Sequence, residues 1–316
     1  MPAIQCSVVV PVYNEELVIA ESYRRLKAVM EQSGGAYEIL FVNDGSADKT
    51  EEMLRVLCRQ DQTVKMLSFS RNFGHQTAIT AGMDHASGAC VVVIDADLQD
   101  PPELILDMLQ KWREGWHVVY GKRLQRKGET AFKKVTAKLF YRLLSAMTDV
   151  AIPVDTGDFR LLDRQVLTAL SSLPERNRYV RGLVSWVGFR QTAVEYVREE
   201  RFAGETKYPL RKMLKFAGDA LTSFSYKPLK LSIYLGSILS FLSFVFLLVI
   251  LIARIFWAGT AGWASGWASL ITVVLFFNGV VLIMLGIMGQ YVGRIYDEAK
   301  ARPLYIIGEK VGFDQE

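Results

Sequence analysis

Two stretches of the chain carry no charged side chain: Leu231 to Ala253, and Ala268 to Val292. A helix needs about 20 mostly apolar residues to cross the hydrocarbon of a bilayer, and both stretches are long enough. They divide the chain into a domain over residues 1–228, a two-helix transmembrane domain over 229–292 and a tail over 293–316. Lys227 and Lys230 precede the first span and Arg294, Lys300 and Arg302 follow the second, whereas the link between them holds only Arg254. The positive-inside rule then predicts a multi-pass protein of the cytoplasmic membrane, with both termini and the large domain in the cytoplasm. Trp257, Trp263 and Trp267 fall where an aromatic belt would meet the opposite interface. Gly236, Gly279, Gly286 and Gly289 allow close helix packing, and so a homo-oligomer through the membrane helices. Met1 to Gln5 lacks the basic start of a signal peptide.

In the first 228 residues apolar runs alternate with helical spacing. Cys6–Val12, Tyr37–Asn43, Val64–Phe69, Cys90–Asp95 and His117–Gly121 read as strands; Leu17–Met30, the stretch from Ser46 or Asp48 to Arg59, His75–Ala86 and Glu103–Glu114 read as helices. Short links between them predict an α/β domain with a mostly parallel sheet covered on both faces. The cysteines Cys6, Cys58 and Cys90 are odd in number and set in or beside apolar runs, as reduced core residues are. The net charge of +4 is too modest to imply nucleic acid.

No G-x-G-x-x-G follows the first strand, which removes the main support for an ordinary dinucleotide site. The strand ends carry Tyr13-Asn14-Glu15, Asn43-Asp44 and Asp95-Ala-Asp97 instead. In a parallel sheet ligands collect outside the carboxyl ends of the strands, and acids gathered there suit ribose hydroxyls, a base edge and a metal. Asp95 and Asp97 lie on one side if the strand continues, with Ala96 turned away. Two carboxylates that close repel unless a cation lies between them, and Mg²⁺ typically takes one or two carboxylates and leaves its other positions to water and phosphate. Asp155-Thr-Gly-Asp-Phe-Arg160 is a further polar cluster, with Asp158 and Arg160 on one side if extended.

Basic residues concentrate in two amphipathic segments, about 131–147 and 208–225, which read as helices lying in the headgroup layer of a membrane. Such a surface also attracts an anionic lipid phosphate.

The motifs Val9-Val-Pro-Val-Tyr-Asn-Glu15, Val42-Asn-Asp-Gly-Ser46, Ser70-Arg-Asn-Phe-Gly74, Asp95-Ala-Asp-Leu-Gln-Asp-Pro101, Thr156-Gly-Asp-Phe-Arg160 and Gly204-Glu-Thr-Lys-Tyr208 resemble those of the family-2 inverting glycosyltransferases of the GT-A fold. Within that family, the charge-free C-terminal runs and Gly289-Gln-Tyr-Val-Gly-Arg-Ile-Tyr-Asp-Glu298 resemble the bacterial polyprenyl-phosphate glycosyltransferases, relatives of dolichyl-phosphate mannose synthase. The resemblance implies a nucleotide-sugar donor, UDP-linked by analogy, a polyprenyl (undecaprenyl) phosphate acceptor, and Mg²⁺ or Mn²⁺. It places Pro11, Tyr13, Glu15, Asp44 and Asp95 at the donor nucleotide, and Asp95, Asp97 and Gln99 at the metal. Arg123, Lys134, Arg201 and Lys207 fall to the acceptor phosphate. Asp158, Arg160 and Asp97 form the expected catalytic set: an acceptor phosphate already ionised needs no strong base, which assigns Asp158 to positioning the acceptor or a metal-linked water, with Arg160 as its partner. A processive synthase would need a pore-forming set of spans and a Q-x-x-R-W motif, both missing here. A non-catalytic scaffold or lipid-sugar translocation partner would have lost the acids, which are all present.

Overall fold

The structure is a computed structural model that describes residues 4–124, 156–176, 178–197 and 267–313, with isolated positions elsewhere. It divides into two compact units, Met1–Ala217 with Arg302–Glu316, and Gly218–Ala301. Both basic segments, about 131–147 and 208–225, lie outside the described residues.

In the first unit the strands are β1 (Cys6–Val12), β2 (Tyr37–Asn43), β3 (Val64–Phe69), β4 (Cys90–Val93), β5 (Val118–Arg123), β6 (Thr156–Asp163), β7 (Gln191–Tyr196) and β8 (Ile307–Val311). The helices are α1 (Ile19–Gln32), α2 (Thr50–Gln60), α3 (His75–His85), α4 (Leu104–Arg113), α5 (Arg164–Ser171) and α6 (Val180–Trp186). All eight strands join one sheet in the order β7-β5-β6-β4-β1-β2-β3-β8. β1 is parallel to β2 and β4, β2 to β3 and β5 to β7, whereas β6 runs antiparallel to β4 and β5, and β8 to β3. The α/β, mostly parallel sheet is thus as expected.

The strands form where valine, isoleucine and phenylalanine run together. Val8, Val10, Phe41 and Val92 face one core, packed by Leu26, Met30 and Leu54 of α1 and α2, and all are essentially inaccessible to water. On the other face Val9 packs so closely under α3 that a Cβ on Gly82 would stand 2.2 Å from its Cγ1. The three cysteines are free and buried.

Chain order fixes where a ligand can enter. From β1 the chain builds outward through β2 and β3, then returns to lay β4 on the opposite side of β1, a topological switch point whose crevice opens at the carboxyl ends of the strands. Ile94 donates its N–H to the Val9 carbonyl and Asp44 donates its own to that of Val12. Alternation then aims position 11 toward β4, whose pairing with β1 has ended at Val9 and Val93. Pro11, which has no N–H to offer, sits where no partner strand would receive one.

Of the residues expected as a tail, 293–316, those to Ala299 continue a helix of the second unit, and Arg302–Glu316 belong to the first unit, where β8 covers the β3 edge. In the second unit α7 (Trp267–Ala299) contains Val273–Ala299, long and apolar enough to cross a membrane, with mean hydropathy 2.1. Among the described residues this is one such helix rather than the two expected; the stretch 231–253 is described only at scattered positions.

Phe41 is fully buried in a central strand, and Phe41→Ala should cost about 3–5 kcal/mol, read as a lowered denaturation midpoint of the full chain. An unchanged midpoint would contradict the core assignment.

Candidate active site

β4 ends at Val93, so the strand delivers Asp95 to the crevice but does not carry on through Asp97. Residues after it turn, Leu98 takes a left-handed φ of 58°, and Asp97 Oδ1 accepts the Gln99 N–H at 3.1 Å. The two acids are set by this turn, and not by the strand alternation expected from sequence.

β6 supplies the opposing wall. Val93 is paired with Arg160 in antiparallel register, and each step beyond Val93 is matched by one step back from Arg160, so Asp158 comes opposite Asp95. Asp158 is buried and fully engaged. Arg181 of α6 donates from Nε to Oδ1 at 2.8 Å and from Nη2 to Oδ2 at 3.2 Å. Gln76 Nε2 donates to Oδ2 at 3.2 Å, and His75 Nε2 lies 3.3 Å from the same oxygen. Burial raises the pKa of Asp158, but the Arg181 charge and the bonds from His75 and Arg181 outweigh it and hold the carboxyl well below the usual range. A carboxylate so held is a weak base.

Asp95 is the counterpart left short. Its Oδ1 is buried without a hydrogen-bond donor among the described residues, although His75 Nε2 stands 3.5 Å away. Burial, with the charges of Asp158, Asp97 and Asp100, lifts its pKa to about 6 against the opposing pull of His75. His75, at the start of α3, is opposed in ionising by burial, but its bond to Asp158 and the Asp95 charge win and raise its pKa to about 9. A buried, donor-poor carboxylate oxygen among other acids suits a divalent cation. Among the described residues no three His, Cys, Asp or Glu side chains are grouped as a metal cage.

At the far end of β4's loop, Asp100 accepts hydrogen bonds from the Tyr196 hydroxyl and from Arg123 Nη2 at 3.4 Å, while Arg123 Nε donates to the Tyr196 oxygen at 3.1 Å. Gly157 makes room for this arginine, since a Cβ there would lie 2.4 Å from Arg123 Nη2. On the other side of the crevice Asp44 takes the N–H of Phe73 at 2.6 Å and of Gly74 at 3.0 Å. Gly45 has φ 68°, and a Cβ there would meet the Arg71–Asn72 backbone at 2.6 Å, so the two loops lie back to back.

The sequence profile of glycosyl transferase family 2 matches residues 7–170 of the 316. The chain belongs to glycosyl transferase family 2. It is 60% identical over 313 residues to an uncharacterized glycosyltransferase, YkcC, of Bacillus subtilis (strain 168), covering 99% of this chain and 96% of that one. It is 42% identical over 301 residues to the bactoprenol glucosyl transferase of Shigella phage SfV, covering 95% and 97%. It is 40% identical over 301 residues to a prophage bactoprenol glucosyl transferase homolog of Escherichia coli (strain K12), again covering 95% and 97%.

In this family 2 glycosyltransferase, Pro11, Tyr13, Glu15, Asp44, Asp95, Asp97, Gln99 and Asp158 lie on the strand ends, or the loops after them, around one crevice. Lys134, Arg201 and Lys207 lie outside the described residues. Asp158 is ion-paired with Arg181, whereas Arg160 is buried and donates to the Gly157 carbonyl at 2.9 Å, and burial lowers its pKa to about 10 against the opposing pull of the Asp158 charge. Residues two apart on a strand stand about 6.5 Å apart along it, whereas Arg181 reaches Asp158 head-on from a helix. His75, Gln76, Arg181, Asp100 and Tyr196 were not among the expected site residues. His75 and Gln76 directly follow the Ser70–Gly74 motif and Asp100 lies within the acidic one, but nothing local marks Arg181 or Tyr196.

The protonated form of His75 contributes stability that is fully present below its ordinary pKa of about 6.5 and is lost as pH rises through the folded value, here about 9. In EDTA, thermal midpoints of the full chain should fall from pH 7 to 9.5 more steeply than those of His75→Gln. Parallel curves would contradict the His75–Asp158 coupling.

Proposed function

We propose that the protein transfers a sugar from a nucleotide-sugar donor, UDP-linked, to polyprenyl phosphate with inversion, at the cytoplasmic face of the membrane. The observation that carries this reading is the crevice in which Asp95, short of donors, faces Asp158, whose charge is already matched by Arg181 and His75. Similarity along almost the whole chain to bactoprenol glucosyl transferases supports a polyprenyl-phosphate acceptor. α7 supports a membrane location, and the charge-free run 231–253 supplies a second crossing.

In this reading Pro11, Tyr13 and Glu15 line the nucleoside pocket. Tyr13 is 41% exposed there, so part of its ring can lie against a base. Asp44 meets the base edge with acceptor capacity remaining on Oδ2, since each carboxylate oxygen has two lone pairs. Asp95, Asp97 and Gln99 would hold Mg²⁺ or Mn²⁺, which when bound neutralises the diphosphate and eases its departure. Arg123, with Lys134, Arg201 and Lys207, receives the acceptor phosphate.

The acceptor phosphate is ionised near neutral pH and needs no strong base to attack the anomeric carbon. The obstacle is repulsion, of order 4 kcal/mol for each pair of unit charges 4 Å apart at an effective dielectric of 20. Cationic side chains offset it by binding charge that develops or approaches. Asp158 accordingly orients: it fixes Arg181 and His75 beside the reacting groups. One in-line displacement inverts the anomeric centre, so an α-linked donor gives a β-linked product.

Purified full chain, given undecaprenyl phosphate and a panel of labelled UDP-sugars with Mg²⁺ or Mn²⁺, should form a lipid-linked monosaccharide, and Asp97→Ala should lower the rate by about 100-fold or more. A polymeric product, no lipid product from any donor, or an unimpaired Asp97→Ala would contradict the proposal.

A further inference from the structure

The chain leaving α7 does more than cover a sheet edge. The helix ends at Ala299, Ala301 takes a left-handed φ of 48°, and Pro303 follows, so the chain cannot continue as helix. From there it lies along β3 and reaches the two loops that flank Asp44 by two separate routes.

The first route is apolar. The Tyr305 ring stacks on Phe69 with centroids 5.3 Å apart and planes 15° from parallel, and its hydroxyl donates to Asp84 Oδ2 at 3.1 Å. Phe69 in turn meets Phe73 edge-on at 5.6 Å. The Ile306 carbonyl accepts the Ser70 N–H at 3.0 Å. Ser70–Gly74 is therefore gripped at its start, and its far end gives the Phe73 and Gly74 N–H groups to Asp44.

The second route is polar. Arg55 on α2 donates to Glu309 Oε2 from Nε at 2.9 Å and from Nη2 at 2.7 Å, and also bonds Glu51. Glu51 Oε2 accepts from Asn43 Nδ2 at 2.8 Å and from Ser68 Oγ at 2.9 Å. Asn43 Oδ1 then receives the Ser46 N–H at 3.1 Å, closing the turn that carries Asp44.

We infer that residues 302–313 act as a positioning device for the donor pocket, with Tyr305 setting the loop that bonds Asp44 and Glu309 setting the turn on which Asp44 stands. Both routes end on one carboxylate, and their source is the segment that follows the apolar helix. Donor binding thus depends on a part of the chain far in sequence from Asp44 and the loops beside it. The inference rests on the reading of Asp44 as a base contact, so the test includes that residue.

The test is isothermal titration of UDP into full-length protein in lipid nanodiscs, with Mn²⁺ present, for wild type, Tyr305→Ala, Tyr305→Phe, Glu309→Arg and Asp44→Asn. Tyr305→Ala and Glu309→Arg should each weaken UDP by roughly three- to tenfold at unchanged stoichiometry. Tyr305→Phe, which keeps the stacked ring, should restore most of the affinity. Donor titrations of the transfer rate should show the same change in KM with kcat nearly constant. A purely structural role would lower the number of binding sites, and with it kcat, while leaving affinity and KM alone, and that result would overturn the inference. So would wild-type affinity in both Tyr305→Ala and Glu309→Arg while Asp44→Asn binds weakly. If Asp44→Asn binds UDP as wild type does, the base-contact reading is at fault, and the inference falls with it.

Discussion

Carboxylates crowded into a sheet crevice must each find a counter-charge, and the way this is met differs from one acid to the next. Asp158 takes Arg181, Gln76 and His75. Asp100 takes Arg123 and Tyr196. Asp44 takes backbone N–H groups. Asp95 keeps a buried oxygen without a donor among the described residues, and burial, with the charges of the neighbouring carboxylates, lifts its pKa to about 6. The imbalance marks where charge has to come from outside the chain, and the surrounding matched pairs keep that demand local.

The sheet produces this arrangement without special devices. A return of the chain across β1 opens a crevice between β1 and β4. An antiparallel β6 in register with β4 then sets a second acid against the first. Glycine appears where two parts of the wall must touch: Gly45 against the Arg71–Asn72 backbone and Gly157 beneath Arg123. β8 shields the β3 edge, which would otherwise present unpaired backbone groups, so a catalytic domain cut off at residue 228 would lose part of its own sheet.

Much of this was legible in the sequence because it is local. Runs such as Cys6–Val12 and Cys90–Val93 are too uniformly apolar for anything but strands buried on both faces, and acids that begin where such runs end must lie at the strand tips. What sequence could not show depends on register and on distant segments. Asp158 and Arg160 look like partners at a spacing of two, yet the partner arrives from α6, 23 residues on. Tyr196 reaches Asp100 across 96 residues. The turn at Asp97 replaces the strand alternation that would have aligned the two acids. β8 has a short apolar pattern that the long uncharged runs before it overshadow, and only its pairing with β3 reveals it.

The central claim is that the Asp95 side of the crevice is completed by a divalent cation that the donor diphosphate brings or shares. Titration of Mn²⁺ followed by electron paramagnetic resonance, with and without UDP and at pH 5.5 and 7.5, tests it most directly. The account predicts weak binding to the protein alone, at least about tenfold tighter binding with UDP, and loss of affinity at the lower pH as Asp95 takes up a proton. Binding that is equally tight without UDP, or that survives in Asp95→Asn, would contradict it.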